Sequence, residues 1–176
     1  MPEWIIICGI EIIGSFVILF TIAPVLALAH LRSIEQDSTI HYHQMSAERL
    51  GFDDASVDLV ASHWLYHEMP PAAIRASLSE ARRVLRPGGA LLAYDMHIVP
   101  GGAVGEWLHA GYAARNNEPF ALSYAKMDMR AELARAGFTD VSIRIGHPAP
   151  DAAVAAGALP DARIHYISLV SGVLPR

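Results

Sequence analysis

Histidines raise the first chemical question, because the chain has nine and an imidazole can move a proton near neutral pH or ligate a metal. His63 and His67 stand four apart and share one face if their segment is helical. His43 and His97 fall near the ends of expected strands. No carboxylate lies at familiar ligand spacing from these residues, so hydrogen-bonded imidazoles are expected and no metal centre is. His63, His67 and His97 are the candidates for a general base. Asp53 and Asp54 resemble paired carboxylates, but their Gly-Phe-Asp-Asp setting reads as a turn. The single cysteine, Cys8, can form neither an internal disulfide nor a Cys-based zinc site.

Elements must bring such scattered residues together. The periodicity predicts a helix from Pro24, acceptable at a first helical position, ending near Asp37-Ser38. Short strands follow at Thr39–Met45 and Val57–Ser62, separated by a polar turn. Ile74, Leu78, Ala81 and Leu85 then recur on one helical face, with Arg82, Arg83 and Arg86 in the last turn and Pro87-Gly88-Gly89 as the stop. Ala90–Met96 reads as a buried strand, and Gly101–Phe120 as loop and irregular helix. Asp128 is the expected N-cap of a helix over Met129–Ala136, closed by Gly137. Val141, Ile143 and Ile145 alternate as a strand, and Ile164–Val170 forms the last one. Strand and helix in this succession predict an α/β fold: a Rossmann-like, mostly parallel open sheet with helices on both faces. In such sheets ligands bind beyond the carboxyl ends of the strands.

Length and charge narrow the function. At 176 residues the chain holds one domain with at most a small appendage, and a net charge of −5 supplies no footprint for phosphate backbones. Nucleic acid is therefore not expected as a partner. Cysteine usage gives no sign of an oxidising compartment, which makes the cytoplasm the default.

Trp4–Leu31 is the exception to an ordinary composition, with 21 of its 28 residues apolar and none Lys or Arg. A signal peptide is not expected, since the preceding Met-Pro-Glu carries no positive charge. Two readings stay open. Ile12–Leu31 has the length of a membrane span, and Arg32 would mark its cytoplasmic flank. Alternatively, Ile, Val and Phe before Ala23-Pro24 and Ala and Leu after it make a buried strand followed by a helix, the reading preferred here.

Several runs together resemble one family. Ala47-Glu48-Arg49-Leu50-Gly51-Phe52-Asp53-Asp54-Ala55-Ser56-Val57-Asp58-Leu59-Val60-Ala61-Ser62, then Leu65-Tyr66-His67-Glu68-Met69-Pro70, then Glu80-Ala81-Arg82-Arg83-Val84-Leu85-Arg86-Pro87-Gly88-Gly89, are similar to class I S-adenosylmethionine-dependent methyltransferases of the small-molecule, type 11-like kind. The likeness covers residues 23–147. It implies S-adenosylmethionine as cofactor and a small-molecule methyl acceptor. Ser46 and Ala47 would lie by the adenine, while Ala61, Ser62 and His63 would line the methionine side. The segment from about His97 to Phe120 would shape the acceptor pocket, where Trp107 and Tyr112 could touch the acceptor or merely cover the sheet. No catalytic residue is assigned.

The beginning of the chain departs from the family pattern. The family opens with a strand, a G-x-G-x-G loop, a helix and a second strand ending in an acidic residue for the ribose. Here the only glycines available are Gly9 and Gly14, and Phe20-Thr21-Ile22 stands where the acid should be. Residues 1–22 are therefore expected to be an atypical hydrophobic segment, either turning as a hairpin at Gly14-Ser15 or forming one long helix, ahead of a methyltransferase-like domain over 23–176. The N-terminal part of the fold is expected to be incomplete and the activity impaired. A non-catalytic remnant tethered through residues 12–31 is the alternative.

Overall fold

The apolar run that opens the chain becomes sheet. The computed structural model describes residues 4–8, 17–19, 23–37, 41–97, 111–146 and 166–175. Strand β1 (Trp4–Cys8) lies between β2 (Val17–Leu19) and β4 (Val57–His63), parallel to both. Strand β3 (His41–His43) continues the parallel array beyond β2, and β5 (Leu85–His97) continues it beyond β4. Two antiparallel pairings finish the sheet, with β7 (Tyr166–Val173) inserted between β5 and β6 (Thr139–Gly146). The full order is β3-β2-β1-β4-β5-β7-β6. The expected open, mostly parallel sheet is present.

Helix α1 (Ala23–Glu35) joins β2 to β3, and α2 (Pro71–Val84) joins β4 to β5. These connections run in opposite directions along the sheet. Right-handed crossovers of opposite direction place their helices on opposite faces. The turn back falls between β1 and β4, whose last residues Cys8 and His63 are register partners. That switch point is where an open α/β sheet leaves a crevice for a ligand.

The hairpin or single long helix expected before Ala23 is replaced by two parallel strands. A hairpin would have made β1 and β2 antiparallel neighbours, whereas Ile5 pairs with Val17 and Ile7 with Leu19 in parallel register. Because β1 ends at Cys8, eight residues separate it from β2, more room than a turn at Gly14-Ser15 suggests; residues 9–16 lie outside the described residues. Strands β1 and β2, from residues 1–22, share one sheet with β3 and β4. No described helix is long and apolar enough to cross a membrane.

Helix α2 corrects a second expectation. It stops at Val84, two residues before Arg86, and Pro87-Gly88-Gly89 lies inside β5. The register explains this: Val57 faces Leu85 while Leu59 faces Ala90, so the extra residues of β5 bulge out. A bulge tolerates proline, which has no N–H to give the ladder. Gly88 takes φ +81°, and a Cβ on Gly89 would come within 2.8 Å of the Arg86 carbonyl oxygen. Both positions therefore require glycine. The C-terminal tail seals the bulge, with Gly88 N–H donating to Leu174 O and Leu174 N–H donating to Gly89 O.

The core forms where α2 meets β4 and β5. Ile74, Leu78, Ala81 and Val84 of α2 are buried with Val57, Val60, Leu91 and Ala93. Helices α3 (Tyr112–Asn116), α4 (Ala121–Ala125) and α5 (Met129–Ala136) follow. The last is capped as expected: the Asp128 carboxylate accepts from Ala131 N–H, and Gly137 closes the helix at φ +95°. Arg75 ties α2 to α5 through a bidentate pair with Glu132.

Candidate functional site

The carboxyl ends of β4 and β5 carry the densest polar chemistry among the described residues. After His63 the chain turns sharply at Trp64, which takes φ +53°, a conformation costly for a bulky residue. Trp64 N–H donates to Tyr94 O at 2.9 Å, holding the turn against β5. One turn of 3-10 helix, Tyr66–Glu68, follows.

Asp95 fixes that turn. Its side chain is fully buried. Oδ2 accepts from Leu65 N–H at 3.2 Å and Tyr66 N–H at 2.7 Å, and Oδ1 lies 2.6 Å from His67 Nδ1. An ionised carboxylate here makes Nδ1 the donor, which leaves Nε2 of a neutral ring with its lone pair. Burial opposes charging of His67. The hydrogen bond and charge of Asp95, with the charges of Glu68 and Glu118, outweigh it and raise the imidazole above its ordinary pKa.

Around His67 Nε2 stand two carboxylates. Glu68 Oε1 is 3.7 Å away, and Glu118 brings a further oxygen, so one ligand atom from each of the three residues lies within 4.8 Å of the others. Glu118 Oε2 is buried without a hydrogen-bond partner. The Tyr112 phenol lies close enough to Glu118 to feel its carboxylate. Burial first, then the charges of Glu118 and Glu68, push that phenol up to about 12. Trp64 sets its ring edge-on to His67 at 5.4 Å, and His63 stacks on Tyr94 at 5.0 Å.

The residues expected beside a cofactor fall in two places on this rim. Ser46 and Ala47 follow β3. Ser46 is exposed, with Oγ accepting from Glu48 N–H and its carbonyl from Arg49 N–H, and Ala47 packs against the core. Ala61, Ser62 and His63 are the last residues of β4, next to the switch point. With β2 and β1 between them, β3 and β4 stand roughly 14 Å apart at one strand spacing per step. Ser62 turns its hydroxyl inward: Ser62, Tyr66 and Ser77 form a buried hydroxyl group of three. None meets strict hydrogen-bond geometry, yet Tyr66 lies close enough to both serines for them to hold its pKa down in part. Burial dominates and pushes it up to about 12. Ser62 therefore offers the crevice its backbone.

Sequence spacing did not join His67, Glu68 and Glu118, nor His67 with Asp95. His63 and His67 do not act as a pair, since the chain reverses at Trp64 between them. Asp53 and Asp54 are exposed turn residues, as expected, with Asp54 paired to Arg83. His97 ends β5, its side chain outside the described residues, as are Gly9, Gly14 and Trp107. A shallow depression lined by Asp54, Arg82, Arg83, Pro87 and Leu174 lies by the amino-terminal ends of β4 and β5, away from the rim where parallel sheets hold ligands.

Comparisons with known proteins fit this arrangement. Residues 13–93 match the family model described as a methyltransferase domain. An uncharacterized methyltransferase of Synechocystis is 41% identical over 56 residues, covering 32% of this chain and 26% of that protein. An uncharacterized protein of Haemophilus influenzae is 32% identical over 73 residues, covering 42% and 29%. The matched stretches thus span under a third of these curated relatives. Among solved structures, a putative methyltransferase of Bacillus halodurans superposes with TM-score 0.68 at 17% identity, covering 99% of this chain and 94% of that one. Phosphoethanolamine N-methyltransferase 2 of Haemonchus contortus gives 0.72 at 15% identity, covering 99% and 49%. The sheet order and its switch point at β1 and β4 are those of the fold these solved methyltransferases share, and residues 13–93 carry the match to the methyltransferase-domain model.

Proposed function

We propose that the chain transfers a methyl group from S-adenosylmethionine to a small-molecule acceptor. The observation that carries this reading is the switch point, where β1 and β4 end side by side with β2 and β3 on one flank and β5 on the other. S-adenosylmethionine supplies an electrophilic methyl group on a sulfonium, leaving as S-adenosylhomocysteine once the acceptor's lone pair takes the methyl.

The residues on this rim suit such a ligand in part. Ala61 and Ala47 are small, and Ser46 is exposed, so the ends of β4 and β3 leave room for an extended nucleoside. Ser46 and Ala47 take the adenine side through backbone groups, and Ala61, Ser62 and His63 the methionine side. Gly9 and Gly14 fall in the β1–β2 connection, the position of the family's glycine-rich loop. Phe20-Thr21-Ile22 follows β2 where the family carries an acid, and deleting a charged hydrogen bond of that kind costs roughly 1.5–3 kcal/mol. Trp64, Tyr94 and Tyr112 present aromatic surface toward an acceptor. Holding acceptor and methyl in line supplies most of the rate acceleration for a displacement of this kind.

Calorimetric titration of the chain with S-adenosylhomocysteine tests the reading. One saturable site, weakened by His63→Ala, is the expected result. No heat at about 1 mM ligand, a Kd weaker than about −4.1 kcal/mol of binding, overturns it and favours a non-catalytic remnant.

A further inference from the structure

We propose that His67, Glu68 and Glu118 form a binding site for one divalent transition cation of the Mn2+ to Zn2+ range. The proposal goes beyond methyl transfer and does not depend on it, because it stands on the donors themselves.

Three observations carry it. The first is spacing. Two ligands held about 2.1 Å from one ion at tetrahedral to octahedral angles stand about 3.0–3.4 Å apart. His67 Nε2 and Glu68 Oε1 are 3.7 Å apart, beyond a hydrogen bond and near that ligand–ligand separation. All three donor atoms lie within 4.8 Å, and the Glu68 side chain is 53% exposed and free to close the remainder.

Orientation is the second. Metal-bound histidines donate the N–H of their other ring nitrogen to a carboxylate or carbonyl, which fixes the tautomer and aims the lone pair at the ion. Asp95, fully buried, accepts this bond from Nδ1 of His67 through one oxygen, and its other oxygen accepts from Leu65 and Tyr66 N–H. The His67 side chain, 4% exposed, has no freedom to turn away.

The third is the carboxylate left over. Glu118 Oε2 is buried with no hydrogen-bond partner, a costly condition for an acceptor that a cation relieves. Asp95, Glu68 and Glu118 gather three carboxylates around the one imidazole of His67. One imidazole with two carboxylates and no thiolate matches Mn2+, Fe2+ or Zn2+ better than Cu+ or a structural zinc. Three protein ligands leave open positions for an oxygen or nitrogen of a bound small molecule.

Titration of the full chain with Mn2+, followed by loss of the free-ion electron paramagnetic resonance signal, tests this. The expected result is one Mn2+ per chain, displaced by Zn2+, with affinity falling at least about tenfold in Glu118→Gln and in Glu68→Gln. Circular dichroism and the urea midpoint report whether these variants fold; Glu68 is exposed enough that its variant should. A His67→Gln variant is read only if it passes the same check. Absence of Mn2+ binding up to about 1 mM overturns the proposal. So does stoichiometric binding unchanged in both glutamine variants, or occupation of the site by an organic ammonium probe, trimethylammonium, with no response to Mn2+.

Discussion

Helices α1 and α2 perform the same topological task on the two flanks of the switch point, and they meet the molecule differently. Helix α2 buries Ala73, Ile74, Ser77, Leu78, Ala81 and Val84. Of the α1 side chains described, from Ala27 on, only Ser33 is buried, with its hydroxyl turned onto His30 O, while Leu28, Leu31 and Ile34 are exposed by half or more. The β4–β5 flank is thus a closed core that holds the Asp95–His67 pair at its edge, whereas α1 presents apolar residues outward. Positioning of polar groups and burial of apolar ones go together on the first flank, because a buried carboxylate survives only where surrounding packing fixes its donors.

The largest effect should come from breaking that edge. Asp95→Ala removes the acceptor for two backbone N–H groups and for His67 Nδ1–H, the bonds from Tyr66 and His67 being buried and that from Leu65 partly so. A loss of about 3–5 kcal/mol in urea unfolding is expected, the range for stripping one partner from a buried charged pair. A loss below 1 kcal/mol would mean that the 3-10 turn holds itself and that the flank is less tightly built than described. Next comes α2 itself: Leu78→Ala, at a side chain 1% exposed, should cost about 2–5 kcal/mol with the same denaturant dependence.

An intermediate effect is expected where α2 meets the turn after β3. Glu80 accepts from Leu50 N–H at 2.7 Å and pairs with Arg83, which also reaches Asp54 and Leu50 O. The Arg83 hydrogen bond, with Leu50 N–H and nearby arginine charge, lowers the Glu80 pKa against the opposing pull of burial. A carboxyl lowered in the folded state contributes stability that is fully present above its unfolded value near 4.5, and that stability is lost as pH falls through the lower folded value. Glu80→Gln should flatten this part of the acid unfolding profile and cost about 1–3 kcal/mol at pH 7. An unchanged acid limb would show that the Arg83 network is open to solvent.

The same contrast governs what could be read from sequence. Local signals were legible: Asp128 and Gly137 bound α5 because a side-chain cap and a left-handed stop act within a few residues. The periodic apolar face of α2 was legible too, through Ile74, Leu78 and Ala81. Pro87-Gly88-Gly89 misled because the same residues break a helix or build a bulge, and only the register of β4 against β5 decides between them. The N-terminal strands were hidden because unbroken Ile- and Val-rich runs show no alternation, and the parallel pairing of β1 with β4 joins residues far apart in the chain. Near the candidate site, the position of Ser62 and His63 at a strand end was legible. The grouping of His67 with Asp95 and Glu118 was not, since it depends on a reversal at Trp64 and on a loop approaching from another part of the chain. Adjacent His67-Glu68 after a strand end was the available signal.

The smallest expected effect sharpens the comparison most. Leu28, Leu31 and Ile34 follow helical three-residue spacing, so they form one exposed stripe on α1. If that stripe meets only solvent, Leu31→Ser removes little favourable burial, and its effect on the urea midpoint should stay within about 0.5 kcal/mol. Ile34→Ser, at 64% exposure, should behave the same way. A cost above about 1 kcal/mol at either position would show that the stripe is covered in solution, which would make α1 a second closed flank and remove the asymmetry. The measurement needs no ligand and no knowledge of the acceptor, and it separates an outward apolar face from a buried one by a factor of several in the folding equilibrium.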